Sequence, residues 1–280
     1  MSVSRIDLDH LRPGLRVVAI DLDGTVVGED LEVRPFTRRV FAALRAGGIR
    51  VIIATGRMFS TTLAYAHVLQ GEGPVVCYQG ALIRSLITKR TLFHEPLDLD
   101  LALQVLAALE AEECVPNLYM DDTLFVLPDR HQPDLFRRVE QAGVRYRTTA
   151  DLRAQLIDCG PTKILVTGVP STLDQIGHVL RSSFPGRLYV RKSLPPFLEI
   201  ASGGVSKSRA LAFLADRYGF TPEEVVAFGD GHNDVDLLAW AGLGVAPANA
   251  PPDVQSAADS VCDPVDQEGV ARFLLGPSTL

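Results

Sequence analysis

The sequence predicts an α/β protein in which a Rossmann-like, doubly wound parallel sheet is interrupted by an inserted α+β domain. Short, continuous apolar runs alternate with amphipathic helical segments near both ends of the chain, whereas the middle mixes helices with hairpin patterns. Polar residues follow each apolar run near the ends. Continuous apolar strands separated by helices are typical of a parallel sheet covered on both faces.

The N-terminal part contains the first three predicted strands, RVVAI, IRVIIAT and PVVCYQG. Between the first two, PFTRRVFAALRAGG places Phe36, Val40 and Leu44 on one face of a helix that ends at a glycine pair. A second helix is expected over about residues 59–69. This strand–helix–strand order indicates the first half of a doubly wound sheet.

The middle of the chain has the pattern of a separate α+β module. LDLALQVLAALEAEE, DLFRRVEQAG and STLDQIGHVLRSSF predict three helices, and NLYMDDTLFVL predicts a hairpin about an Asp-Asp turn. The parallel pattern returns with SKSRALAFLADRYG, VVAFGD, NDVDLLAWAG and LGVAP. We therefore predict a discontinuous core domain, residues 1–84 and 193–280, and an inserted domain, residues 85–192.

Composition excludes several functional classes. The 280 residues carry a net charge of −7, which argues against nucleic acid as a partner because phosphate backbones select basic surfaces. The N-terminal segment lacks the apolar core and cleavage site of a secretory signal, and no apolar run approaches the roughly 18–20 residues of a membrane span. The four cysteines lack zinc-site spacing. We expect a cytoplasmic protein with no membrane partner.

Two carboxylates end the first predicted strand, in RVVAIDLDGT. Alternate residues of a strand point to the same side, so Asp21 and Asp23 are expected to converge where ligands bind parallel sheets. A divalent cation would offset their repulsion, and Mg²⁺ suits such an oxygen-rich site. The alternative is that the pair only forms a turn and caps a helix, which is common for Asp-Gly. Taken alone, this motif leaves both interpretations open.

Three further motifs lie at other predicted strand or helix ends. Thr55 and Gly56, in ATGR, stand at a helix entry, which is a natural phosphate site. Lys207 opens a helix, where a cation opposes the helix dipole unless an anion compensates. In GDGHND, Asp230 ends a strand and the next helix starts with Asn233 and Asp234. Each motif has an ordinary structural explanation, but three strand ends that each supply oxygen or phosphate ligands, together with a lysine at a fourth turn, indicate one shared site.

The motifs DLDGT, ATGR, GVSK and GDGHND, in this order and with a long insertion, resemble the haloacid dehalogenase-like phosphatases of the Cof-like subgroup. The resemblance covers essentially the whole chain. It implies that the inserted domain is a cap, or lid, that governs substrate choice.

The resemblance also implies residue roles. Asp21 would be the nucleophile that forms an aspartyl-phosphate, and Asp23 the general acid–base. A Mg²⁺ cofactor would be held by the Asp21 side chain, the Asp23 backbone carbonyl and Asp230, with Asp234 in support. The phosphoryl-binding residues would be Thr55, Gly56, Lys207 and Asn233.

The sequence departs from the family pattern at three places. Gln79 stands where the family usually has Asn, Ser208 replaces the common glycine after the lysine, and GVAPANA, which contains Pro247, replaces the usual Met-Gly. No catalytic group is lost. These departures leave open whether substrate preference is altered.

We therefore predict a Mg²⁺-dependent phosphoric monoester hydrolase acting on a small phosphorylated metabolite, such as a sugar phosphate or a phosphorylated cofactor. A phosphomutase of the same fold is the first alternative. The second alternative is a signalling receiver, which is phosphorylated on an aspartate without turnover. Receivers are short single domains, however, whereas this chain carries a long insertion. The expected assembly is a monomer or homodimer, and the physiological substrate stays open.

Overall fold

The computed structural model describes residues 14–128 and 132–276. Its strands are, in chain order, β1 (Val17–Ile20), β2 (Arg50–Ile53), β3 (Pro74–Cys77), β4 (Leu82–Ser85), β5 (Thr91–His94), β6 (Cys114–Met120), β7 (Thr123–Val126), β8 (Tyr146–Thr148), β9 (Lys163–Gly168), β10 (Leu188–Leu194), β11 (Phe197–Ser202), β12 (Val225–Phe228), β13 (Leu243–Pro247) and β14 (Ser260–Cys262). Its α-helices are α1 (Pro35–Ala46), α2 (Phe59–Leu69), α3 (Leu99–Leu109), α4 (Pro133–Gln141), α5 (Pro170–Ser183), α6 (Lys207–Tyr218), α7 (Val235–Trp240), α8 (Pro252–Ala257) and α9 (Gly269–Leu275).

The described chain divides into two compact units. The core unit comprises residues 14–57, 62–92 and 206–276, and the insert unit comprises Met58–Thr61 and Phe93–Val205. The sequence placed the boundaries at 84/85 and 192/193. Strand pairing explains the difference, since β4 and β5 belong to a three-stranded sheet with β3, and β10 and β11 pair next to β9. Local patterns along the chain do not show which strands become neighbours.

A parallel sheet with the order β14-β13-β12-β1-β2 forms the centre of the core unit. β1 is flanked in register by β12 and β2, and a parallel bridge between Ala54 and Val76 brings β3 beside β2. Every residue of β1, β3 and β12 is buried, as a sheet covered on both faces requires. The chain leaves β1 towards β2 and returns on the other side as β12. This is the doubly wound fold that the sequence predicts, with its switch point between β1 and β12.

The insert unit is built on a sheet with the order β10-β11-β9-β6-β7-β8. One face packs on an apolar cluster from α3 and α5 that includes Val105, Leu173 and Ile176. Strand alternation turns the other set of side chains to the opposite face, where the buried Lys163 and Glu199 pair at 3.1 Å. Asp121 and Asp122 form the predicted hairpin turn, with left-handed φ values of 47° and 57°. The predicted α+β character of this segment is confirmed.

In the part of the chain that the structure describes, no helix has both the length and the apolar character needed to cross a bilayer.

Candidate active site

The two central strands of the core unit end side by side, and each is followed by a candidate acidic residue. Asp21 comes directly after β1, and its backbone N–H continues the ladder by donating to the Phe228 carbonyl at 2.9 Å. Asp230 follows β12 two residues beyond that carbonyl. Parallel sheets bind ligands at the carboxyl ends of their strands, next to the switch point. The fold therefore brings Asp21 and Asp230 to the expected edge.

A fully buried lysine joins two of the candidate carboxylates. Lys207, the first residue of α6, has 0% exposure, and its Nζ donates at 2.6 Å to both Asp21 Oδ1 and Asp234 Oδ1. Both aspartates are buried as well. The backbone N–H of Gly231 donates to the second oxygen of Asp234 at 2.9 Å, which fixes that carboxylate. These carboxylates offset the unfavourable position of a lysine at a helix N-terminus.

Burial dominates the electrostatics of this cluster. It raises the pKa of Asp21 to about 7, against the opposing attraction of Lys207 and with the repulsion of Asp234 and Asp23. Burial and the charge of Asp21 raise the pKa of Asp230 to about 6. For Lys207, burial lowers the pKa, but the two carboxylates raise it above its ordinary value. A single ammonium therefore does not fully compensate the clustered carboxylates.

The donor set fits a hard divalent cation. Asp21, Asp230 and Asp234 each place a carboxylate oxygen within 4.8 Å of the others. Such oxygen donors suit Mg²⁺, and an added positive charge would relieve the carboxylate repulsion that adds to burial in raising the pKa values of Asp21 and Asp230. Thr25 orients Asp230 by donating its hydroxyl to Oδ1 at 2.7 Å. Gly24 is required there, because a Cβ on it would lie 2.2 Å from Asp230 Oδ2.

Asp23 has a different partner from Asp21, although the two were expected to converge. The Asp23 carboxylate is half-exposed and makes a two-point ion pair with Arg57, whose Nε donates at 2.7 Å. Burial by itself lowers the pKa of Arg57, but the hydrogen bonds and charge of Asp23 raise it above its ordinary value. The guanidinium also stacks on Tyr65, 4.6 Å from the ring centroid. Asp23 is thus held by an arginine whose guanidinium is itself packed against an aromatic ring.

The predicted phosphoryl-binding residues lie in the same unit. Thr55 is buried, and its Oγ1 accepts the backbone N–H of Arg57 at 3.2 Å. Among the described residues, the N–H of Gly56 has no acceptor. The Nδ2 of Asn233 donates to Gln79 Oε1 at 2.9 Å. The structure therefore joins the ATG loop and the GDGHND loop through a glutamine.

Three residues with clear contacts to this site were not among the predicted site residues. Arg57 was visible as the last letter of ATGR and Thr25 as the last letter of DLDGT, but their partners lie on other segments. Asn249 donates to the Gly24 carbonyl at 2.8 Å and thereby fixes the turn after Asp23. An asparagine in a loop gives no sequence signal for such a contact.

Two of the noted departures have local structural roles. Ser208 donates its hydroxyl at 2.6 Å and its backbone N–H at 3.0 Å to Asp236 Oδ2, which ties α6 to α7. Pro247 is the last residue of β13 and pairs with Cys262. Neither contact reaches the acidic cluster.

A doubly wound sheet with a buried aspartate–lysine cluster at its switch point agrees with the family that the four motifs resemble. The chain belongs to the haloacid dehalogenase-like hydrolase family, whose model matches residues 18–274. The predicted family, the fold class and the enzyme class, a phosphoric monoester hydrolase, are confirmed.

Relatives with established names share most of the chain. It is 31% identical to a phosphoglycolate phosphatase of Methanopyrus kandleri, over 92% of this chain and 95% of that one. It is 29% identical to a 5-amino-6-(5-phospho-D-ribitylamino)uracil phosphatase of Bacillus subtilis, over 92% and 96%. The crystal structure of a haloacid dehalogenase-like hydrolase from Bacteroides thetaiotaomicron matches with a TM-score of 0.84 at 26% identity, over 93% and 98%.

Proposed function

We propose that the protein is a Mg²⁺-dependent phosphatase that hydrolyses small phosphate monoesters through an aspartyl-phosphate on Asp21. The observation that carries this proposal is the buried cluster in which Lys207 holds Asp21 and Asp234 at 2.6 Å at the switch point of the sheet. Phosphoryl transfer needs an oriented nucleophile and fixed positive charge, and this cluster has both.

In the proposed first step, an Asp21 carboxylate oxygen attacks phosphorus and the ester bond breaks. Asp23 enters this step in its protonated form and gives its proton to the departing alcohol oxygen. In the second step, water attacks the phosphorus of the aspartyl-phosphate and gives a proton back to Asp23, which releases phosphate and restores the Asp21 carboxylate. Arg57 orients Asp23 through its two-point ion pair.

Lys207 favours the charged form of Asp21 and orients its oxygen, while the Gly56 N–H and the hydroxyl of Thr55 would bind phosphoryl oxygens. The residues that would hold Mg²⁺ are Asp21, Asp230 and Asp234, together with the backbone carbonyl of Asp23. When bound, the ion supplies charge that neutralises the phosphoryl oxygens and the clustered carboxylates. The close approach of three carboxylate oxygens supports this assignment.

We further infer that the insert unit is a cap that governs substrate choice and that the protein acts in the cytoplasm. The named relatives act on phosphates of very different size, a two-carbon acid and a ribityl-substituted uracil, at nearly equal identity to this chain. The shared chemistry therefore does not specify the leaving group. The substrate class is best described as small phosphorylated metabolites.

The test compares wild type with Asp21→Asn, which keeps the shape of the side chain but removes the nucleophile. Wild type should release phosphate from p-nitrophenyl phosphate with Mg²⁺ and stop when EDTA is added. Asp21→Asn should lose more than about 10³-fold in rate. Asp216→Asn, an exposed aspartate of α6, is the matched control and should keep full activity.

A trapped intermediate separates this mechanism from general acid–base hydrolysis. Acid quenching with ³²P-labelled substrate should leave a hydroxylamine-sensitive label on wild type and none on Asp21→Asn. Hexose 1-phosphate that yields an isomer without free phosphate would indicate a phosphomutase instead. A stable label without turnover would indicate a signalling protein, and full activity in Asp21→Asn would contradict the proposed nucleophile.

A further inference from the structure

The turn that follows β3 has a strained backbone. φ is 51° at Tyr78, 60° at Gln79 and 105° at Gly80, so three successive residues are left-handed. Tyrosine and glutamine rarely adopt this conformation, and it persists only where surrounding contacts impose it, often at functional sites. The contacts of this turn therefore indicate its purpose.

The turn is clamped between two predicted parts of the active site. The backbone N–H groups of Tyr78 and Gln79 donate to the carbonyls of Arg57 at 3.1 Å and Thr55 at 3.0 Å, on the ATGR segment. On its other side, a Cβ on Gly80 would lie 2.2 Å from the carbonyl oxygen of Ser206, which directly precedes Lys207. This packing fixes the direction of the side chain between them.

The Gln79 side chain is 9% exposed and bridges two loops. Its Oε1 accepts from Asn233, and its Nε2 lies so close to Gly56 that a Cβ there would be 2.4 Å away. Among the described residues, no acceptor pairs with this Nε2. The side chain is largely buried, but its Nε2 is not among the fully buried unpartnered atoms of the described residues, so this donor is open to an acceptor from outside the chain.

A second open donor lies next to it, since the N–H of Gly56 also has no acceptor among the described residues. Two neighbouring donors beside a buried lysine–aspartate cluster favour an anion with several oxygens. We propose that Gln79 is a substrate-contacting residue. Its Nε2 donates to a phosphoryl oxygen, while its Oε1 holds Asn233 in place. The inference rests on the phosphatase activity proposed above.

The experiment measures the affinity of inorganic phosphate by isothermal titration calorimetry with Mg²⁺ present. Gln79→Glu keeps the length of the side chain and an acceptor for Asn233 but replaces the donor with a negative charge. Gln79→Met keeps the length and removes both hydrogen-bonding groups. Each variant should bind phosphate about 10- to 100-fold more weakly than wild type, the usual effect of losing a hydrogen bond to a charged group.

Gln70→Met is the matched control. Gln70 is another buried glutamine of the core unit, but its amide is satisfied by the backbone of Ile53 at 3.0 Å and Pro74 at 2.6 Å. Replacing Gln70 by methionine should lower the melting temperature and leave the affinity for phosphate unchanged. A general loss of stability is thereby distinguished from a lost contact to the anion.

The inference is overturned if Gln79→Glu binds phosphate as tightly as wild type, or if wild type binds no phosphate. Failure of the proposed function has a different signature. In that case wild type hydrolyses no phosphate monoester. The difference in phosphate affinity between wild type and Gln79→Glu can still be measured, because binding does not require turnover. If wild type hydrolyses phosphate monoesters and both Gln79 variants keep the same kcat/KM, the role of Gln79 is rejected and the proposed function stands.

Discussion

Replacing Lys207 by methionine removes the only side-chain cation that contacts Asp21 and Asp234 among the described residues. Lys207 has 0% exposure and lies 2.6 Å from both carboxylates. Methionine has a similar length and leaves two buried carboxylates without their cation. Breaking a buried ion pair in this way costs about 3–5 kcal/mol. With a urea m value of about 2–3 kcal/mol/M, the unfolding midpoint should fall by about 1–2 M.

The loss of unfolding free energy in Lys207→Met should depend on pH. The pKa of Asp21 is raised to about 7, mainly by burial, so the folded state binds its proton more tightly than the unfolded chain. The free energy of unfolding therefore falls as pH rises from about 4 to 7. Without the charge of Lys207 this pKa rises further, so the fall continues to higher pH. The difference between variant and wild type should be larger at pH 8 than at pH 5.

The assay is urea unfolding in EDTA at pH 5 and pH 8, followed by circular dichroism. Arg217→Met, at an exposed position of the same helix, should unfold like wild type. Adding Asp21→Asn to Lys207→Met should restore part of the loss at pH 8, because one uncompensated charge is removed. An unchanged midpoint for Lys207→Met at pH 8 would refute the argument that this lysine compensates the buried carboxylates.

Two other substitutions test the neighbouring contacts. Gly24→Ala should reduce both phosphatase activity and the Mg²⁺-dependent rise in melting temperature, because the new Cβ would lie 2.2 Å from Asp230 Oδ2. Arg57→Gln should slow the hydrolysis of alkyl phosphates more than that of p-nitrophenyl phosphate. In the proposed mechanism the alkoxide leaving group takes a proton from Asp23, which Arg57 positions, whereas p-nitrophenolate leaves readily without one.

Each of these variants has a matched control. Gly48→Ala has the same backbone strain, with φ of +85° against +82° at Gly24, but its Cβ would meet nothing within 4 Å. An equal Mg²⁺ response in the two alanine variants would contradict the proposed collision. Arg50 also stacks on a tyrosine, 4.5 Å from the ring centroid of Tyr218, and Arg50→Gln should slow both substrates equally or not at all. If Arg57→Gln also slowed both substrates equally or not at all, Arg57 would have no positioning role towards Asp23.

The alternation of apolar strands and helices was readable from the sequence because a sheet buried on both faces leaves no polar positions inside a strand. The strand VVAI is buried at every residue, and DLDGT follows it directly. The prediction of Asp21 and Asp230 followed from the same regularity, whereas Asp234 and Lys207 were recognised at the starts of helices. Polar residues at strand ends must meet at one edge when the strands are parallel and adjacent.

The sequence did not determine which charges pair. Asp21 and Asp23 are separated by one residue and looked like one site, yet Asp21 faces Lys207 and Asp23 faces Arg57. Two-residue spacing specifies a side of a regular strand, but β1 ends at Ile20, before either aspartate. The backbone beyond that point turns, and the direction of each carboxylate then depends on the cations that neighbouring segments place beside it.

The sequence by itself therefore determined the fold class, the family and the residues from which an active site could be made. Only the tertiary structure decided the boundaries of the two units, the ion pairs within the cluster and the bridge from Gln79 to Asn233. The physical reason is the range of the interactions. Apolar periodicity and strand ends are local features of the chain, whereas a hydrogen bond between residues 79 and 233 forms only after β3 and the loop after β12 have been brought together.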